Sequence, residues 1–347
     1  SKLDKERIRR KGIGNTDALI YDDQLEGDQR EERTKQRKQG LSSQMKQFTN
    51  HLLTLSANLR RYYLTWCQFF LNERGNNYLG PLYGEYSMQK EVVRKAKIAC
   101  EQNDANLRKN LKIQYEQAQE DFKAIADKLK EGSIGLEHIF RELGQYFECM
   151  SECERKETKL PKVVAELLLI GIPFEIMDGD VSHVPLVWIN AVFDELRNKL
   201  DANGDSKSKV FVQSILGIQS SGKSTFLNMM YGLRFAVSSG RCTRGAFAQL
   251  LPVKDDCKKS TGYDYFLIID SEGLRSPELG EDFEHDNELA TFTSCLANNT
   301  LLNFKGETLD MSMNEILQIV SYAYIKMKCS RLQGSYHLVF GQITDNN

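Results

Sequence analysis

The stretch Lys209–Tyr231, KVFVQSILGIQSSGKSTFLNMMY, decides the fold. Lys209 to Leu216 is rich in β-branched and aromatic residues and reads as a strand. It runs straight into Gly217-Ile218-Gln219-Ser220-Ser221-Gly222-Lys223-Ser224, which fits G-x-x-x-x-G-K-[ST], and Thr225 to Tyr231 reads as a helix. A glycine turn with an incidental lysine is the alternative, but strand, glycine loop and helix in this order are the context a phosphate-binding loop requires. A triphosphate needs several backbone N–H donors converging on its oxygens, so the loop must adopt conformations that a Cβ would obstruct, and Gly217 and Gly222 permit them. A helix beginning near Gly222 aims its positive end at the phosphates. Lys223 would reach the β and γ oxygens, the Ser224 hydroxyl would ligate magnesium, and Ser221 and Thr225 complete the loop and the first helical turn.

Two further elements follow in the order a nucleotide switch needs. Thr243, in GRCTRGAFAQL (Gly240–Leu250), could complete magnesium coordination and contact the γ-phosphate through its backbone. The apolar run YDYFLIID (Tyr263–Asp270) leads into Asp270-Ser271-Glu272-Gly273, a D-x-x-G at a strand end. Its Asp can hold a magnesium-bound water and its Gly N–H can sense the γ-phosphate, so loss of that phosphate would release both loops. Arg241, Arg244 and Arg275 flank these segments and could stabilise transition-state charge, although exposed loop arginines usually do not. The strand-like SYHLVFG (Ser335–Gly341) leads to Gln342-Ile343-Thr344-Asp345, where only Asp345 matches an Asn-Lys-x-Asp base-reading pattern; an Asp there can accept the guanine N1–H and N2–H.

Outward from this region, the chain has 347 residues, 41% hydrophobic and 27% charged, with a net charge of -2, which is enough for two or three domains of ordinary size. Nothing in this balance points to nucleic acid. The eight cysteines have no disulfide-framework spacing, which fits a reducing compartment. Cys149 and Cys153 share a helical face without further ligands nearby, so buried thiols are favoured over a metal site. No stretch approaches the roughly 20 apolar residues of a membrane span, and no signal-peptide core is seen.

Residues 1–40 are charge-rich and read as a mobile arm. Residues 41–157 read as a helical bundle. Met45, Phe48, Leu52, Leu55, Leu59, Tyr63, Trp66 and Phe70 stripe one long helix that ends at the turn signal Arg74-Gly75-Asn76-Asn77. A second helix after a Gly80-Pro81 break carries Leu107, Leu111, Tyr115, Ala118, Phe122, Ile125 and Leu129, and a third carries Leu136, Ile139, Phe140, Leu143, Phe147 and Met150. Intramolecular packing explains these stripes more simply than a coiled-coil partner or, for Trp66, Phe69 and Phe70, a membrane interface. Residues 158–207 read as a helical connector around Gly171-Ile172-Pro173, with Met177-Asp178-Gly179-Asp180 as a polar turn rather than a metal loop. Residues 208–347 form the P-loop domain. The fold class is thus an α/β P-loop NTPase preceded by an all-α helical domain.

The set GIQSSGKST (Gly217–Thr225), CTRG (Cys242–Gly245) and DSEG (Asp270–Gly273) resembles the GTPase domain of the dynamin-like superfamily, which includes dynamins, atlastins and guanylate-binding proteins. More closely, GLEHIFRELGQYFECMSE (Gly135–Glu152) and LPKVVAELLLIGIPFEIMDGDVSHVPLVWINAVFDEL (Leu160–Leu196) resemble the interferon-induced very large GTPases. This resemblance implies a cytoplasmic or nuclear protein that binds GTP with Mg2+ and self-associates with its nucleotide state. It also implies a helical region open to protein partners and a role in interferon-induced defence. Guanylate-binding proteins carry a P-loop arginine where this chain has Ser220, whereas the Gln219-Ser220 pair resembles dynamin, whose loop glutamine helps place the attacking water. By the same resemblance, the final strand, helix and base-closing loop of a G domain are expected to be missing, as in a fragment, a splice form or a domain completed by another chain. The rival reading is a non-hydrolysing scaffold whose helices act through partners, and an ATPase is a third; neither the D-x-x-G nor the resemblance measures base preference.

Overall fold

The computed structural model describes residues 31–102, 105–132, 135–179, 183–201, 207–219, 221–233, 235, 244–275, 283–305 and 311–341. Residues 1–30 of the charged arm, and Asp180, Ser220, Arg241, Thr243 and Asp345, lie outside them. The chain divides into two compact units, one made of helices (Asn58–Ile139) and one that holds the sheet.

In the sheet-containing unit, α1 (Ser43–Thr54) starts at Ser42, whose hydroxyl accepts the Met45 N–H and so satisfies one orphan donor of the first turn. Its buried face is Met45, Phe48, Thr49 and Leu52. The stripe read as one long helix is broken here, because Leu55 takes an extended conformation and caps α1. In the helical unit, α2 (Ala57–Gln102) then runs on a new phase, with Arg60 and Leu64 buried and Leu59, Trp66, Phe69 and Phe70 exposed. The three aromatics cluster with ring centroids 5.6–5.7 Å apart, Trp66 stacked on Phe70 and Phe69 edge-on to both. They are therefore not the buried face expected from their spacing.

Neither the turn signal at Arg74–Asn77 nor the Gly80-Pro81 break interrupts α2, which carries Pro81 in its interior. The cause is tertiary. Leu79, Tyr86 and Val93 recur on one face of α2 and bury against Ala118, Phe122 and Leu129 of α3 (Ala105–Gly132). Tyr86 and Phe122 rings lie 4.9 Å apart, and Gly132 faces Tyr78 and Leu79, where a Cβ would come within 2.7 Å of the tyrosine ring. The two helices thus run antiparallel, and their shared seam outweighs the roughly 3 kcal/mol that an interior proline costs.

The remaining helices are α4 (Leu136–Cys149), α5 (Glu152–Glu157), α6 (Leu160–Leu169) and α7 (Leu186–Asp201). Leu143 and Phe147 of α4 are fully buried, and a Ser151–Glu154 capping box opens α5. The segment read as a helical connector also holds a strand, β1 (Phe174–Asp178), between α6 and α7. Its turn is tied down by Arg141, which pairs with Glu175 and reaches Asp178 at 3.2 Å. Both carboxylates are thereby engaged in ion pairs with one guanidinium.

Five more strands complete the sheet: β2 (Val210–Gly217), β3 (Gly245–Pro252), β4 (Tyr265–Ser271), β5 (Asn299–Lys305) and β6 (Ser335–Gly341). The order is β1-β3-β4-β2-β5-β6, with β1–β3 and β3–β4 antiparallel and β4–β2, β2–β5 and β5–β6 parallel. Helices α8 (Lys223–Tyr231), α9 (Asp255–Thr261), α10 (Phe283–Leu296) and α11 (Met311–Cys329) connect them. This is a mixed α/β fold. Central strands are apolar on both faces because both faces are covered: Leu216, Ile269 and Leu302 join one core with α6, α7, α10 and α11, while their neighbours Ile215, Ile268 and Leu301 join Leu227 of α8 in another. From β2 the chain passes first to β3 and β4 on one side and later to β5 on the other, so the carboxyl end of β2 is a topological switch point, where α/β sheets leave a crevice. Among the described residues, the seven cysteines are free, and no helix is long and apolar enough to cross a membrane.

Phe122→Ala is expected to destabilise the α2–α3 seam by about 3–5 kcal/mol. Pro81→Ala should stabilise it, since alanine restores the missing N–H donor. Chemical denaturation followed by circular dichroism measures both, and a Pro81→Ala midpoint no higher than the parent's would show that α2 requires the proline's geometry.

Candidate functional site

The site is built where β2 ends. A Cβ on Gly217 would sit 2.4 Å from the Asn303 carbonyl oxygen of β5, so only glycine lets the strand leave the sheet here. Gly222, at φ 79° and ψ 21°, turns the loop into α8 through the left-handed region. Asn303 donates its side-chain amide to the Ser221 carbonyl at 2.7 Å and to the Ser221 hydroxyl at 3.2 Å, fixing the loop from the neighbouring strand. The sequence reading missed Asn303; an amide set between the apolar Leu301-Leu302 and Phe304 of NTLLNFK was the available signal.

Lys223 is buried, 6% exposed, and its amine donates to the Gly217 carbonyl at 3.2 Å and the Ile218 carbonyl at 3.1 Å. Burial pushes its pKa down to about 8, against the opposing pull of Asp270 and Glu272. The next residue, Ser224, donates its hydroxyl to Asp270 Oδ2 at 2.6 Å. Thr225 is half-buried in the first turn of α8. Asp270 is fully buried near the end of β4.

The D-x-x-G loop is laid directly on the P-loop. A Cβ on Gly273 would meet Gln219 Cα at 2.2 Å, and two backbone bonds stitch the segments together: Gln219 N–H to the Leu274 carbonyl at 3.1 Å and Leu274 N–H to the Gly217 carbonyl at 3.0 Å. Gly217, Gln219, Ser221, Gly222, Lys223, Ser224, Thr225, Asp270 and Gly273 are therefore gathered in one place. Arg275, considered as a charge stabiliser, has φ 57° and is held by Glu315 of α11, with Nε to Oε2 at 3.0 Å. Arg244 lies half-buried just before β3.

Behind the loops stand three residues the sequence reading did not single out. Glu272 is 1% exposed and accepts from Gly245 N–H and from His285, while Asp286 accepts the Arg275 N–H at 3.0 Å. Burial pushes the Asp286 carboxyl up to about 6.

The donor set can be tested against its expected occupants. A glycine-lined loop before a helix N-terminus, with a buried lysine amine, suits an anionic phosphate chain. The hydroxyl of Ser224 beside the carboxylate of Asp270 offers hard oxygen donors, and among the described residues no cluster of three or more His, Cys, Asp or Glu forms a metal cage. That combination fits magnesium, which binds through few protein oxygens and leaves the rest to waters and phosphates, and it does not fit zinc.

Two outcomes follow. Gly273→Ala is expected to separate the two loops and lower affinity for a triphosphate at least tenfold while the chain stays folded, as read by titration and circular dichroism; retained affinity would mean the close approach is unnecessary. Asp286 binds its proton more tightly folded than unfolded, so its burial costs stability in full above about pH 6 and that cost fades as pH falls toward 4. Asp286→Asn, whose amide oxygen can still accept the Arg275 N–H, should thus stabilise the chain by about 2 kcal/mol at pH 7 and not at pH 4. Equal Tm changes at both pH values would contradict this.

The sequence is 37% identical over 334 residues to human interferon-induced very large GTPase 1, covering 94% of this chain and 13% of that protein. The mouse protein of the same name is 34% identical over 354 residues, covering 99% of this chain and 14% of its own length. Up-regulator of cell proliferation from mouse is 36% identical over 224 residues, or 61% of this chain and 23% of that protein. The chain thus spans less than a quarter of the length of each of these relatives. The family model of the URGCP-like GTPase domain matches residues 4–347, nearly the whole chain, and the chain therefore belongs to the URGCP-like GTPase domain family.

Proposed function

We propose that this chain is the nucleotide-binding part of a large GTPase that binds GTP with Mg2+ and hydrolyses it by in-line attack of water. The observation that carries this reading is Lys223, whose buried amine lies on two carbonyls of its own glycine loop. An incoming phosphate would replace those bonds with charge-assisted ones and would favour the charged amine that burial disfavours. In this reading the loop N–H groups from Gly217 to Thr225 hold the phosphates, and Lys223 takes the β and γ oxygens. Ser224 and Thr243 offer hydroxyls to magnesium, with Asp270 acting through a water. Magnesium, when bound, neutralises charge on the phosphate oxygens. Gly273 N–H reports the γ-phosphate, Gln219 and Ser220 orient the attacking water, and Asp345 reads the guanine.

The nucleotide state would drive conformational change and self-association of the longer protein, in the cytoplasm or nucleus. Two relatives are named as interferon-induced, which supports induction by interferon here; a role in defence extends that reading.

Equilibrium binding of fluorescent GTP and ATP analogues, with magnesium, tests the pocket. GTP-selective binding is expected, reduced about a hundredfold in Lys223→Ala, the equivalent of roughly 3 kcal/mol for a lost charged contact. Unchanged affinity would rule the pocket out. Thr243→Ala should slow multiple-turnover phosphate release more than it weakens binding. No release above the Lys223→Ala background would favour a non-hydrolysing scaffold.

A further inference from the structure

Glu272 lies inside the D-x-x-G loop, between Asp270 and Gly273, and its side chain is buried in the protein. It is 1% exposed, and both carboxylate oxygens are engaged by other elements. Oε2 accepts the N–H of Gly245 at 2.6 Å, while the Glu272 N–H donates to the Gly245 carbonyl at 2.8 Å, a reciprocal pair with the first residue of β3. Oε1 meets Nε2 of His285, 7% exposed, in the first turn of α10. A carboxylate can only accept, so the imidazole donates from Nε2.

Neither end of this link is loose. Gly245 has φ 82°, and a Cβ there would lie 2.0 Å from the Met177 carbonyl oxygen, so its backbone is pressed against β1. Gly179, at the end of β1, closes the same spot, since its Cβ would fall 2.3 Å from Glu272 Oε2. On the other side, a second tie runs in parallel: Arg275 N–H binds Asp286, the residue after His285, and the Arg275 guanidinium binds Glu315 of α11. The residue after Glu272 is Gly273, packed on Gln219 of the P-loop. One buried carboxylate therefore joins the start of β3, the γ-phosphate-facing loop and the head of α10.

We propose that Glu272 and His285 form a positioning pair that transmits the state of the Asp270–Gly273 loop to α10, and that this link sets the preference for GTP over GDP. The proposal rests on the GTPase reading given above. A displacement of Gly273 toward a γ-phosphate moves Glu272 with it, and the buried hydrogen bond to His285 obliges α10 to follow or the bond to break. Because a broken bond would leave one buried carboxylate oxygen without its donor, following is the cheaper response.

The test uses the full chain with magnesium and two nucleotides, GDP and a non-hydrolysable GTP analogue. Affinities are measured for both, together with amide hydrogen exchange across α10. In the parent chain, exchange in α10 is expected to differ between the two nucleotides. In His285→Ala that difference should vanish, and the ratio of analogue to GDP affinity should fall at least about fivefold, the lower end of typical coupling between sites. His285→Gln, which can still donate to Glu272, should recover part of it. If His285→Ala does not fold, Glu272→Gln serves instead: it keeps the shape but replaces one accepting oxygen with a donor. An equal loss of affinity for both nucleotides, or an unchanged ratio, marks a merely structural contact and overturns the proposal. Parent chain that binds both nucleotides with no difference in α10 overturns the link alone. Parent chain that binds neither removes the GTPase reading and the link with it.

Discussion

The whole site depends on one close approach, that of Gly273 to Gln219. Two loops from different strands can lie in backbone contact only if no side chain intervenes, and here a single methyl group would fall 2.2 Å from a Cα. The backbone bonds through Leu274 then extend the parallel pairing of β2 and β4 beyond the strands themselves. This brings Asp270 to Ser224, beside the Lys223 amine that rests on the Gly217 and Ile218 carbonyls of its own loop. Remove the approach and the separate parts remain, but not their convergence.

The charge arrangement has a cost that makes sense only at a working site. Asp270 and Glu272 are buried beside the buried Lys223, with His285 against Glu272 and Asp286 buried next to Arg275. Each carboxylate is supplied with donors: a serine hydroxyl, the Gly245 backbone and an imidazole, and the Arg275 backbone. Hydrogen bonding keeps them tolerable, yet the raised pKa of Asp286 and the lowered one of Lys223 both show that desolvation dominates. A chain selected for stability alone would gain by replacing these groups with apolar ones. Buried groups perturbed in this way cluster at functional sites.

The helical unit illustrates the opposite balance. Gly80-Pro81 and Arg74–Asn77 are strong local signals to stop a helix, and α2 runs through both. The heptad spacing of Leu79, Tyr86 and Val93 is satisfied only by a continuous helix lying along α3, and that burial exceeds the local penalty. Conversely, Trp66, Phe69 and Phe70 have helical spacing but nothing in α3 to bury them, since α3 ends where Gly132 meets Tyr78. Periodicity marks a face without saying whether a neighbour reaches it.

By itself the sequence determined the parts of the site that are contiguous. The strand, glycine loop and helix around Lys223, and the strand ending in Asp270-Ser271-Glu272-Gly273, were legible because both motifs are local backbone geometries that demand particular residues at short spacing. The strand β1 was not, because Phe174–Asp178 is short, follows a proline and exists only by pairing with β3. Asn303, His285 and Asp286 were not, because each acts from an element outside the loop it holds and at a spacing that no local motif prescribes. Only the tertiary structure decided that Asn303 of β5 fastens the P-loop and that Glu272 faces inward to Gly245 and His285. The physical reason is that a loop's own residues set the conformations it can adopt, whereas the partners that hold it in one of them come from wherever the sheet order brings strands and helices together.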